Sequence, residues 1–256
     1  MVVQTVRLAI GVLAALAAVG LTATIAGAHR SKPHCAVPRG WTVVAKDRPA
    51  VVISTASAKA IGPGAGPNAD PQITRQWRSC LRADGRFRPL AADLVFGGGL
   101  GNLVDVGDVV LGGAYAAYGT DTTSFGGRAY GATTGALHIQ NLVGRRGRTV
   151  GLDRSGAGLL QISAAGIAVW QSAPLTQPGD QTACGAWLIQ ALDVPSGRSA
   201  TLDNVTPACS ATAPVIFPVP PFGGLQLQRC VAGCFPVGAT FAWWTHGGVW
   251  RSARVR

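Results

Sequence analysis

The sequence predicts an all-β chain built from repeats, and three observations carry that prediction. First, four stretches share one pattern, an apolar strand, a tight turn and a second strand ending on a bulky residue. They run from Val43 to Ile53, Val109 to Tyr118, Leu160 to Trp170 and Cys234 to Trp244. Second, the first three are each followed by an apolar or Trp-led strand that runs into a Gly-Arg turn, at Trp77 to Arg86, Leu137 to Arg148 and Trp187 to Arg198. Third, the 256 residues include 35 Gly and 16 Pro but only three Lys and no Glu, so strong helix formers for a surface helix are scarce. A unit that recurs every 50 to 75 residues and can make only strands must bury its faces against its neighbours. The expected fold is a small β-propeller-like array of about four to five irregular blades. A β-sandwich or irregular barrel is the alternative that the same strands allow.

In chain order, residues 1–28 read as a signal peptide. A single cation, Arg7, precedes an apolar run from Leu8 to Ile25 and the small-residue motif Ala26-Gly27-Ala28, with cleavage expected before His29. The run approaches the roughly 20 residues that cross a bilayer, so a retained anchor competes; the small residues that dilute the run favour cleavage. No later stretch is apolar for long enough to span a membrane, and the mature chain is expected to be secreted, extracellular or held at the cell envelope. Residues 29–40 read as an irregular leader and residues 41–256 as one propeller-like domain, with no seam for a second.

Within that domain the Gly and Pro density of Ile61 to Pro71 marks a loop, and the strand Ala92 to Phe96 runs into the glycine run Gly97 to Gly101. The third copy is the cleanest: Leu160, Ile162 and Ala164 alternate with Leu159, Gln161 and Ser163 before Gly166 turns the chain. Its outer hairpin, Trp187 to Leu192 and Ser199 to Leu202 around the turn Asp193 to Arg198, completes a two-hairpin blade. The fourth copy lacks a returning outer strand. The segment Arg39 to Val44 is expected to supply it by pairing beside the C-terminal strand, which would remove an exposed edge. Pro214 to Pro218 and Gly224 to Arg229 would form a partial fifth blade.

All six cysteines lie in the mature segment after residue 28, and export makes disulfides the default. The hairpin reading of Leu225 to Val237, with a loop ending on Gly233, places Cys230 opposite Cys234. Cys184 with Cys209 would close the outer hairpin of the third copy, and Cys35 with Cys80 would tie the leader to the first copy. A metal site is disfavoured, because Cys230 and Cys234 lack a second ligand pair at finger-like spacing. No cofactor is expected.

The candidates for chemistry are few. His29 and His34 fall in the leader, His138 lies on a strand face opposite Leu137 and Ile139, and His246 sits in what reads as a turn, where a solvated loop histidine is expected. No Gly-x-Ser-x-Gly elbow and no His-Glu-x-x-His motif occurs. Asp105 and Asp108, three apart on a strand, point to opposite faces, and Asp84, Asp193 and Asp203 read as turn residues. Gly97 to Gly101 lacks the Lys-Ser or Lys-Thr ending of a phosphate loop. Gly144 to Arg148 is the densest basic cluster but has no aromatic platform beside it, so nucleic acid is not the expected partner. Most tryptophans are expected as wedges between blades. Asn204-Val205-Thr206 is a glycosylation sequon, meaningful only in a eukaryotic secretory host.

The alternation of a turn-Ala-aromatic strand with a strand leading to Gly-Arg resembles exported β-propeller-like proteins of high-GC bacteria, similar in pattern only to TolB-type and WD40-type propellers. The resemblance covers roughly Trp41 to Arg256, lacks the Gly-His and Trp-Asp dipeptides of WD40 blades, and implies a fold and an exported location; no catalytic residue carries over. The reading that results is an exported, monomeric, non-enzymatic binding or structural module. A hydrolase or lyase with polar residues converging on a central channel is one alternative. The formal charge of +11, or +10 once Arg7 is removed, suggests another, adhesion to an anionic wall polymer or polysaccharide. An extracellular protein or an anionic polymer is the partner class that follows.

Overall fold

The computed structural model describes residues 34–56, 72–95, 102–124, 133–152, 157–172, 187–205, 222–229 and 239–256. Residues 1–28, expected as a signal peptide, lie outside them. They contain fifteen strands, and no helix among them is long and apolar enough to cross a membrane.

The strands fall into four successive antiparallel meanders. The first blade holds β1 (Thr42–Lys46), β2 (Ala50–Ala56), β3 (Gln72–Leu81) and β4 (Phe87–Val95), and the second holds β5 (Asn102–Gly112), β6 (Tyr115–Ser124), β7 (Thr133–Asn141) and β8 (Gly147–Leu152). These eight form one hydrogen-bonded sheet in sequence order. Its centre is weak, because β4 and β5 are in register only at Leu94 with Val104 and Val95 with Leu103. The third blade holds β9 (Gly158–Ile162), β10 (Ile167–Ser172), β11 (Trp187–Asp193) and β12 (Arg198–Val205). The fourth holds three strands, β13 (Phe222–Arg229), β14 (Thr240–His246) and β15 (Val249–Arg254). The first strand of each later blade packs beside that of the blade before it, β5 on β1, β9 on β5 and β13 on β9. The result is an all-β, propeller-like array of four blades.

The repeat is legible in its hydrogen bonds. In each of the first three blades the residue just after the third strand donates its amide to the turn of the first hairpin: Arg82 to the Pro49 carbonyl at 2.8 Å, Leu142 to Ala114 at 2.8 Å and Val194 to Gly166 at 2.9 Å. Each turn that follows then carries one residue in the left-handed region, Gly85 (φ 66°), Arg145 (φ 55°) and Gly197 (φ 75°). Glycine reaches that conformation without a Cβ penalty. In the second blade the glycine sits one position early, at Gly144, and Arg145 occupies the strained position.

Where the second strand of a blade serves two neighbours, as β2 and β10 do, it must be apolar on both faces. All six residues of β10 are buried. Ala168 and Trp170 join Ala117, Leu137, Ile139 and Leu152 of the second blade, whereas Ile167 and Val169 join Leu225, Ala242 and Trp244 of the fourth. In β2, Val52 packs with Trp77, Val106 and Val109 toward the second blade, while Val51 and Ile53 face the leader with Cys35, Cys80, Trp41 and Phe87. Each large side chain buried this way contributes about 1.5–3 kcal/mol. Blades also meet at their turns: the Gly113 amide donates to Asp47 Oδ2 at 2.5 Å, and a Cβ on Gly112 would collide with the Ile162 carbonyl.

The leader covers the outer face of the first blade and is pinned there by the Cys35–Cys80 disulfide, with Cα atoms 6.0 Å apart. The Arg78 guanidinium lies 4.7 Å above the Trp41 ring. This corrects the expectation that Arg39 to Val44 closes the ring. β1 pairs with β2, and no strand of the first blade joins β15, because disulfide and leader hold this segment against its own blade. The fourth copy is also revised. β14 pairs on one side with β13, Arg229 opposite Thr240, and on the other with β15. Both edges of β14 are thus taken by β13 and β15, and Cys234 to Val237, expected as the strand before it, lie outside the described residues. Gly224 to Arg229, expected in a fifth blade, is the first strand of the fourth. Pro214 to Pro218 and the pairs Cys184–Cys209 and Cys230–Cys234 lie outside the described residues.

Two outcomes follow. Reducing the Cys35–Cys80 bridge, or replacing both residues by Ser, is expected to lower the free energy of unfolding by about 2–4 kcal/mol in urea titrations; an unchanged midpoint would contradict the role given to the leader. Arg145→Gly is expected to raise stability by about 1 kcal/mol, whereas Gly197→Ala at the equivalent turn lowers it.

Candidate functional site

Two buried carboxylates, Asp203 and Asp93, sit at joints between blades. Asp203 on β12 was expected in a turn and His246 in a solvated loop; both instead sit on strands that face each other across the third and fourth blades. The Asp203 carboxylate accepts hydrogen bonds from Trp244 Nε1 at 2.7 Å, His246 Nδ1 at 2.9 Å and the Asn204 amide at 2.9 Å, and Arg251 lies 3.5 Å away. Its side chain is 8% exposed. Burial works against its charge, but the hydrogen bonds from Trp244 and His246, the His246 charge and the Asn204 amide outweigh it and hold the carboxyl below its ordinary pKa. The spacing contains the signal for this cluster. Trp244 and His246 are two apart on one strand and so share a face, and a tryptophan facing the core takes His246 with it.

A second carboxylate, Asp93 on β4, joins the first and second blades. It accepts the Val106 amide at 2.7 Å and Arg75 Nε at 3.0 Å. Here desolvation is the largest effect and raises the pKa, against the opposing pull of Val106 and Arg75. His138 on β7 stacks on Tyr118, with ring centroids 5.0 Å apart. Its two nitrogens meet Thr120 Oγ1 at 2.9 Å and Thr149 Oγ1 at 3.1 Å. Both ring nitrogens are thus engaged by neighbouring strands, and burial lowers the pKa. The ring lies on the face expected from the sequence.

The remaining candidates are dispersed. Asp84 occupies its expected turn, accepting the Arg86 amide at 3.0 Å and pairing with Arg88 at 2.8 Å. Asp105 is exposed, 3.9 Å from Arg75, and Asp108 is exposed on the same strand. Arg145, Arg146 and Arg148 are solvated. Trp77, Trp170 and Trp244 are core wedges, but Trp243 and Trp250 are 37% and 57% exposed on the fourth blade. His34 is exposed, and the glycine run Gly97 to Gly101 and the loop Ile61 to Pro71 lie outside the described residues. Among the described residues no group of three His, Cys, Asp or Glu has the arrangement to hold a metal ion.

A cleft of about 250 Å³ opens between the third blade and the end of the chain. Ser199, Ala200 and Leu202 of β12 form one wall, Arg254 to Arg256 the other, and Asp193 and Arg198 lie at one end. Arg256 is placed by a hydrogen bond to the Ala165 carbonyl at 3.2 Å and lies 3.9 Å from Asp193 Oδ1. That carboxylate oxygen is buried without a hydrogen bond.

The pH dependence of stability follows from these environments. His138 is neutral in the fold, so the unfolded chain takes up the proton first and stability falls as pH drops below about 6.5. Asp203 keeps its charge longer in the fold, and its contribution is lost as pH falls below about 3.8. In urea midpoints measured against pH, His138→Gln is expected to flatten the first loss and Asp203→Asn the second; profiles parallel to the parent would contradict both assignments.

No family model matches the chain, and no curated protein matches it. Among solved structures the chain is similar to the β-propeller domain of the Trilobed protease from Pyrococcus furiosus, which has an open velcro topology. The identity is 12% and the TM-score 0.32, with 59% of this chain and 43% of that one covered. At that distance the likeness carries no argument about activity, and the propeller-like description rests on the strand order and blade contacts.

Proposed function

We propose that this chain is an exported, non-enzymatic binding module of β-propeller type whose partner is anionic. The observation that carries the reading is a segregation of charge. Asp47, Asp93 and Asp203 are turned into the joints between blades, where amides, an indole and a histidine hold them. Arginines such as Arg146, Arg198, Arg229 and Arg254 are exposed. Asp105 and Asp108 stay exposed, but in a chain whose formal charge is +11, or +10 without Arg7, the withdrawn carboxylates leave the solvent-facing charge predominantly positive, and a field of that sign gathers anionic partners. The Asp203–His246 pair belongs to the same scheme. Its carboxylate also holds Trp244, which makes it a clamp between blades rather than a base beside a nucleophile. The signal-like segment of residues 1–28 and the disulfide are consistent with an oxidising compartment outside the cytoplasm.

The test is retention of the protein, purified after export, on sulfated dextran, with neutral dextran as control. Retention at low ionic strength that is lost well below about 1 M salt, where screening is nearly complete, is the expected result. Equal retention on neutral dextran, or none on either, would sink the reading.

A further inference from the structure

Among the described residues the fourth blade has three strands where each of the others has four. The first three blades end on β4, β8 and β12, whereas the fourth, among the described residues, ends on β15. Strand β15 is exposed along nearly its whole length, with Val249 65% and Trp250 57% accessible. Beside its end lies the cleft whose other wall is β12, the outermost strand of the third blade. The chain's own candidate for a fourth strand, Arg39 to Val44, is held in the first blade by Cys35–Cys80 and by the pairing of β1 with β2.

We propose that the edge of β15 and the adjoining cleft form a docking site for an extended acidic peptide segment of a partner protein, which adds as the fourth strand of the blade. Main-chain groups of β15 would supply the hydrogen bonds, and alternate side chains of the peptide the selectivity. The charge of the cleft sets the chemistry of the occupant. Arg256 is already engaged with Ala165 and Asp193, but no acidic side chain among the described residues pairs with Arg198 or Arg254. Two uncommitted guanidinium groups beside an open strand edge suit carboxylates on an extended backbone. Leu202 and Ala200 offer an apolar wall to the residues between them. The proposal deepens the anionic-partner reading and rests on it.

The test uses the full chain purified after export and three fluorescent peptides of about eight residues, a typical strand length or slightly more. One alternates Asp with Val, one alternates Lys with Val, and one is the Asp/Val peptide N-methylated at every second amide. Saturable binding of the Asp/Val peptide is expected, with the other two weaker by about tenfold or more. The surface variant Arg198→Glu/Arg254→Glu, checked for an unchanged melting temperature, is expected to lose about tenfold as well. Equal binding of the N-methylated peptide would reduce the contact to charge alone and overturn strand addition, as would an unaffected double variant. Failure of the Asp/Val peptide while retention on sulfated dextran persists overturns this proposal and leaves the broader reading standing; loss of both overturns the two together. Self-association that occupies the edge in place of the peptide also overturns it.

Discussion

Much of this fold depends on two second strands, β2 and β10, being apolar on both faces. A strand packed on one side only alternates apolar and polar residues, and that alternation limits how many layers can be stacked. Here β10 sends Ala168 and Trp170 one way and Ile167 and Val169 the other, so a single six-residue strand joins two cores that would otherwise be separate. β2 does the same between leader and second blade. The array is thus a row of thin cores held by shared strands, as in repeat proteins where each unit is stabilised chiefly by its neighbours. Such a row has two ends, and the two are treated differently. At one the leader lies over Val51 and Ile53. At the other Trp243 and Trp250 face outward.

Polar groups at the joints supply what apolar packing does not, which is direction. Burial of aliphatic surface is indifferent to small slips, but Asp203 must meet an indole, an imidazole and a backbone amide at hydrogen-bonding distance. Asp93 must likewise meet Val106 and Arg75. The two carboxylates answer burial in opposite ways. Asp203 has enough donors to keep its charge favoured, whereas Asp93 is left with a raised pKa. The joint between the first and second blades is therefore the one where the ionised carboxylate is held at a cost, and it is also where β4 and β5 share the shortest ladder.

Much of the fold was legible in the sequence because its signals are local. Alternation around Leu160 to Trp170 and the glycine-bearing turns at Gly85 and Gly197 place strands and hairpins correctly, and the tie between Cys35 and Cys80 follows from one leader beside one first repeat. The misplacements all concern pairings over distance. Cys234 to Val237 resembles a first strand in pattern, yet Phe222–Arg229 takes the position, since local pattern does not say which of two apolar segments wins an edge. The same limit hid the joint at Asp203. Its partner lies 43 residues away, and only the shared face of Trp244 and His246 hints at it. Arg145 was legible as part of a basic turn, but its backbone conformation became apparent only beside the equivalent glycines.

The covalent tie of the leader gives the array a polarity that its repeats lack. In a row of units stabilised by nearest neighbours, opening begins where a unit has a neighbour on one side only. Among the described residues the first blade is the one stapled by a bond that thermal motion does not break, whereas three strands of the fourth rest on one shared core, so fraying is expected to begin in the fourth. Breathing is then expected to start in the C-terminal blade, with its amide hydrogens exchanging first. The same asymmetry would govern how the molecule yields to a pulling force or to a protease: the C-terminal strands peel away first, while the disulfide-closed blade persists as the last folded remnant.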